Sequence, residues 1–153
     1  VPGIGAMVIP YRRWPQAAET FHNMLLKADR LTAPKALEIG MLHSLVQDPA
    51  RLIQEAVAVV GDIAADGSHI ADAPVDIPAM PDGITESTSG QVLSLEIVGI
   101  ICKAVVDAAA ATSLNDALET GYAAFGDSAC TAAAKEGISA FGERRAPDFG
   151  KTG

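Results

Sequence analysis

"IVGIICKAVVDAAAA", Ile97 to Ala111, is the longest apolar run of the chain, and its reading decides the fold. A helix that crosses a bilayer needs about 20 predominantly apolar residues. This run is shorter and is broken by Lys103 and Asp107. Leu93, Ile97, Ile100, Ile101 and Ala104 recur at helical spacing and give a wide apolar face, so the stretch reads as a helix buried on most sides. Alanine is dense again in "ACTAAAKEG", Ala129 to Gly137, and aromatic residues make up only 5% of the chain. That composition favours close-packed helices over a β-sandwich, which needs more aromatic and β-branched alternation. With 153 residues, 49% of them hydrophobic, the chain can bury one core, and its fold class is mainly α.

Working outward, "SLNDALETGYAAFG" places Ser113 and Asp116 in capping-box spacing at the start of a helix. A last helix is expected from about Asp127 to Arg145, stopped with the help of Pro147. Upstream, Phe21, Met24, Leu25 and Ala28 share one face of a helix between Gln16 and Arg30. Thr32 caps a short helix, "APKALEI", which Gly40 ends. "MLHSLVQ" alternates as one short strand from Met41 to Val46. Asp48 followed by Pro49 starts another helix, with Leu52, Ala56, Val59 and Ile63 down one face. "VPGIGAMVIPYRRWP" is too rich in proline and glycine for one regular helix and reads as a turn leading into a short helical piece. Between Asp66 and Gly90, proline, glycine, aspartate and serine concentrate without a period, which predicts a long surface excursion. The organisation is therefore residues 1–65, a 66–90 loop insertion and a helical region at 91–153.

A formal net charge of -8 and the lack of any long basic run exclude general nucleic-acid and anionic-membrane binding, which need a broad positive surface. Cys102 and Cys130 have no metal spacing and form no framework, so reduced, buried thiols and a cytoplasmic location are expected. No metal pair, phosphate loop, nucleophile elbow or Cys-x-x-Cys is present. His22, His43 and His69 have no neighbours at ligand spacing and read as structural or solvated histidines. Glu19, Glu38, Glu55 and Glu119 read as solvated helix faces, and Asp107, inside the apolar helix, as a group facing a helix end or a basic partner.

Two stretches carry candidate chemistry. "PGIGA", Pro2 to Ala6, offers backbone N–H groups in a tight turn able to hold a water or an oxyanion. "AFGERR", Ala140 to Arg145, sets Phe141 and Arg144 three apart, on one face of the helix end. An aromatic ring can then stack on a base while a guanidinium takes a phosphate. The other reading of the same residues is a helix C-terminus whose arginines complement the macrodipole.

The order of these pieces resembles the C-terminal half of the crotonase, or enoyl-CoA hydratase/isomerase, superfamily. The resemblance is carried by "PGIG"; by "LTAPKALEIGMLHSLVQDPARLIQEA", Leu31 to Ala56; by "SLNDALE", Ser113 to Glu119; and by "EGISAFGERRAPDF", Glu136 to Phe149. It spans nearly the whole chain apart from residues 66–90. It implies the helical C-terminal region of a crotonase-like fold, with the N-terminal ββα spiral lacking, in a protein that packs as a trimer or hexamer. The implied substrate is a coenzyme A thioester, with no permanently bound cofactor. The implied carboxylates of the hydration chemistry lie upstream of Val1, so the chain alone is expected to be nearly inactive. By resemblance, Gly3 is the turn glycine whose N–H orients the attacking water, and Ala6 stands where the family usually has glycine. Phe141, Arg144 and Arg145 take the adenine and phosphate end of CoA. A non-catalytic helical self-association or binding module is the alternative.

Overall fold

A computed structural model describes residue 3, residues 5–66 and residues 70–151. His69 lies outside the described residues. Among the described residues seven α-helices follow in order: α1 (Ile9–Arg13), α2 (Ala18–Lys27), α3 (Ala33–Glu38), α4 (Pro49–Asp66), α5 (Leu95–Ala110), α6 (Leu114–Ala129) and α7 (Ala132–Glu143). Short 3-10 turns at Pro15–Ala17 and Phe149–Lys151 complete the set. The chain is mainly α, and the one β pairing among the described residues is an isolated bridge between Glu86 and Val92.

Local side-chain chemistry starts most of the helices. Thr32, Asp48 and Ser113 each accept a hydrogen bond from the backbone N–H three residues on, which satisfies a donor that the first helical turn leaves unpaired. Ser94 and Thr131 do the same for α5 and α7. Three residues join α5 to α6, which packs the two side by side, and Val105, Ala108 and Ala117 are fully buried between and around them. Gly121 on α6 is a close-approach position. A Cβ there would come within 2.9 Å of Val8, a buried residue just before α1.

Four expectations are corrected. Residues 41–46 form no strand. Gly40 takes φ +77, and Met41 and Leu42 both donate back to the Ala36 carbonyl, so the chain is wrapped into the end of α3. No adjoining strand offers their backbone a ladder. The helix from Gln16 ends at Lys27 because Ala28 turns left-handed at φ 55 and faces solvent. The last helix, expected from about Asp127 to Arg145, is shorter: α6 runs on to Ala129, and Thr131 caps α7, which spans Ala132–Glu143. Cys130, expected to be buried, is exposed, while Cys102 is half-buried and both are free thiols.

The largest departure concerns residues 70–94. Without helical period, this segment is nevertheless a packed strap. Ile84 is buried, and Ile77, Met80 and Leu93 pack against the same core as Met7, Tyr11, Phe21, Leu26 and Val105. Residues from all three expected segments thus share one core.

Arg12 organises the strap. The residue is 2% exposed, and its guanidinium donates to the carbonyls of Ala71 and Ala73 at 2.9 Å each, of Ala108 at 2.9 Å and of Ala111 at 2.6 Å. Four carbonyls at the strap's start and the end of α5 converge there, and a planar fork of donors fits them. Its Nε is buried without a partner among the described residues. Tyr11 and His22 form the neighbouring anchor. The His22 Nε2 donates to the Pro78 carbonyl at 3.3 Å, so Nδ1 accepts from the Tyr11 hydroxyl at 3.0 Å. Asp72 accepts from Leu114 N at 2.5 Å, and Thr88 N donates to the Lys27 carbonyl at 2.9 Å.

By contrast, α4 stands clear. Leu52, Ile53, Val57 and Val60 are all more than half exposed. Of the face expected to be apolar, Leu52 and Ala56 are exposed and Val59 is half-buried, while the Ile63 side chain lies outside what is described.

Candidate functional site

The end of α7 gives the two arginines different surroundings. The helix stops at Glu143, and Arg144 takes φ 54 and ψ 39 as its C-cap, a left-handed conformation that costs a non-glycine residue about 1–2 kcal/mol. The turn is closed by Arg145 N donating to the Ala140 carbonyl at 3.0 Å and by Arg144 N donating to the Phe141 carbonyl at 3.2 Å. Arg144 therefore leaves the helical path, and its relation to Phe141 is set by the cap rather than by a shared helix face.

Arg145 is held within the chain. It forms a bidentate pair with Glu136, at 2.5 and 3.0 Å, and its Nε donates to Glu143 at 2.6 Å. Hydrogen bonds to these two carboxylates raise its pKa further above the usual arginine range. Glu136 also accepts from Asp148 N at 2.8 Å, which folds the chain end back along α7 and lays the Phe149 ring against Gly137. Arg144 forms no side-chain hydrogen bond or ion pair among the described residues. Phe141 is 88% exposed.

Beneath Phe141 lies a cavity of about 620 Å³, open to solvent on one side. Leu26 of α2, Ile97 and Ile101 of α5, Phe125 of α6 and Ile138 and Phe141 of α7 form its walls. Gly3 borders the same region. Its Cα faces the Phe125 ring so closely that a Cβ would lie 3.0 Å from it, and its carbonyl accepts from Ala6 N at 3.2 Å in the expected tight turn. The structure thus brings Gly3 to one wall residue and makes Phe141 another. It leaves Arg144 at the adjoining cap and commits Arg145 to carboxylates.

Elsewhere the candidate groups are occupied. Asp107 pairs with Lys103 one turn back on α5, so it faces a basic partner on its own helix. His22 is buried, and desolvation lowers its pKa from 6.5 despite the bond to Pro78. Burial also raises the Cys102 thiol and, strongly, the Tyr11 hydroxyl. Among the described residues no group of three or more His, Cys, Asp or Glu could hold a metal ion. No helix there is long and apolar enough to cross a membrane.

Sequence reasoning missed Arg12 and the cavity. "YRRWP" marks two arginines, yet nothing in it says which one enters the core. No family model matches the chain, and neither a curated protein nor a solved structure matches it.

Proposed function

We propose that the chain is the C-terminal helical part of an acyl-CoA protein of the enoyl-CoA hydratase/isomerase type, acting in the cytoplasm as a homo-oligomer. It supplies one side of the coenzyme A site. In this reading Phe141 stacks on the adenine, Arg144 takes a phosphate, and the Gly3 turn belongs to the reacting end. The observation that carries it is the split between the two arginines: Arg145 is consumed by Glu136 and Glu143, while Arg144, without a side-chain partner among the described residues, caps α7 three residues beyond the exposed Phe141. The role of Arg145 becomes that of a positioning residue, which fixes the cap from which Arg144 projects.

The test is calorimetric titration of coenzyme A into the 153-residue chain and into Phe141→Ala and Arg144→Ala. Loss of one partly exposed charge-assisted contact should weaken binding by about five- to tenfold. No binding by the parent chain, or binding that neither substitution alters, would remove the reading. The chain alone should hydrate crotonyl-CoA at no measurable rate, because the family's two carboxylates have no counterpart in these residues.

The exposed apolar residues of α4 favour a second reading, a non-catalytic self-association module. Light scattering separates the two: a concentration-dependent assembly with no affinity for coenzyme A would select the module.

A further inference from the structure

A polar recess of about 240 Å³ lies between α2 and the turn that leads into α3. The chain makes it by doubling back at the end of α2. Ala28 turns left-handed, and both its N–H and that of Asp29 donate to the Asn23 carbonyl, which sets residues 29–32 against the helix that carries Thr20 and Asn23. Thr20 and Asn23 stand three apart and so share a face of α2.

The lining is rich in donors that the chain itself does not use. Thr20 and Asn23 are half-buried, and neither side chain has a hydrogen-bond partner among the described residues. The Arg30 guanidinium has none there either, since only its backbone N–H is engaged, by the Asp29 carboxylate at 3.0 Å. Lys35 lends one ammonium donor to Glu38 at 2.6 Å and keeps the others. In a chain of formal net charge -8, residues 27–35 hold Lys27, Arg30 and Lys35 against the single carboxylate Asp29.

These groups set the chemistry of a ligand. Two cations beside one carboxylate favour an anion over a cation. A phosphate monoester brings more acceptor oxygens and more charge than a carboxylate does, which suits an arginine fork, an ammonium, a hydroxyl and an amide together. Asp29 repels a phosphate but accepts from a hydroxyl, so it suits the rest of such a molecule. The half-buried Leu31 offers apolar surface to its carbons. The volume is below that of drug-sized sites, which limits the ligand to a few carbons. We propose that this recess binds a small phosphorylated polyol, its phosphate held by Arg30 and Lys35 and a hydroxyl by Asp29. It shares no lining residue with the cavity beneath Phe141, so it stands or falls apart from the coenzyme A reading.

The experiment is a titration of the full chain followed by its amide NMR shifts, which detect weak binding and locate it. The probes are glycerol 3-phosphate, inorganic phosphate, glycerate and glycerol, all at one ionic strength because exposed charges are screened. Saturable shifts are expected at Thr20, Asn23, Arg30 and Lys35. Glycerol 3-phosphate should bind at least about fivefold more tightly than inorganic phosphate or glycerate, the worth of one ordinary hydrogen bond, and glycerol should not bind. Arg30→Ala should weaken glycerol 3-phosphate about tenfold through loss of a charge-assisted contact. Arg51→Ala, which removes the same charge from the exposed surface of α4, should leave it unchanged. Asp29→Asn should narrow the margin over inorganic phosphate, because the carboxylate both repels phosphate and holds the hydroxyl. The absence of saturable shifts at these residues in millimolar glycerol 3-phosphate would overturn the proposal. Equal binding of glycerate would overturn it by removing the phosphate. Equal binding of inorganic phosphate, or an unchanged margin in Asp29→Asn, would do so by removing the polyol. Equal weakening by Arg30→Ala and Arg51→Ala would do so by reducing the effect to net charge.

Discussion

The helix α4 and the strap at residues 70–94 invert each other. One has regular backbone, good capping and a helical apolar pattern, yet Leu52, Ile53, Val57 and Val60 face solvent. The other has no regular backbone and a composition of turns, yet it carries a core residue, Ile84, and is bound at Arg12, His22, Lys27 and Ala109. Periodicity reports the shape a segment can adopt, and burial reports what tertiary partners it has. In this chain the two part company, so stability should be concentrated in the strap and its anchors rather than in the longest helix.

Arg12→Ala breaks the comparison hardest. It leaves one buried and three part-buried carbonyls without this donor and empties the space of a buried side chain, a change expected to cost about 3–5 kcal/mol, read as a shift in the urea midpoint at constant slope. Ile84→Ala removes the strap's buried apolar contact and should cost about 2 kcal/mol, the lower end for such truncations because the site lies near the surface. Acid should act on the strap through His22. Its folded pKa lies below the ordinary 6.5, so the unfolded chain takes up the proton first as pH falls. Stability is full above about pH 6.5 and declines from there toward the depressed folded value. In denaturant titrations at stepped pH, His22→Gln should flatten that decline. Smallest of all, Val57→Glu on α4 should change stability by less than about 0.5 kcal/mol, as surface substitutions do. A loss of 2 kcal/mol or more there would mean that α4 is covered in solution.

What could be read from the sequence was local. Thr32, Asp48 and Ser113 announce helix starts because the hydroxyl or carboxylate acts on a backbone N–H three residues away. The long apolar run became α5 because Ile97, Ile101 and Ala104 repeat on one face. The alternation from Met41 to Val46 misled because a strand needs a partner, and none lies alongside. The break between α6 and α7 was expected a few residues early, near Asp127, because Gly126 and Asp127 look like a stop and a cap while the Thr131 hydroxyl that caps α7 sits among alanines. Phe141, Arg144 and Arg145 were legible as a cluster, but their division of labour was not, since it depends on Glu136 reaching Arg145 across nine positions. The cavity had no sequence signature at all. It arises where α2, α5, α6 and α7 meet, and each contributes residues that read separately as ordinary helix faces.

Arg12 also bears on how the chain folds. Its four acceptors lie 59, 61, 96 and 99 residues along the sequence, so the guanidinium cannot be satisfied until both ends of the fold have met. Helical proteins rich in local contacts fold fast because little loop entropy must be lost before contacts form. Here the helices should form early, and the closing of the strap around one arginine should set the pace, giving a mainly helical chain the slower kinetics of a fold with distant pairings.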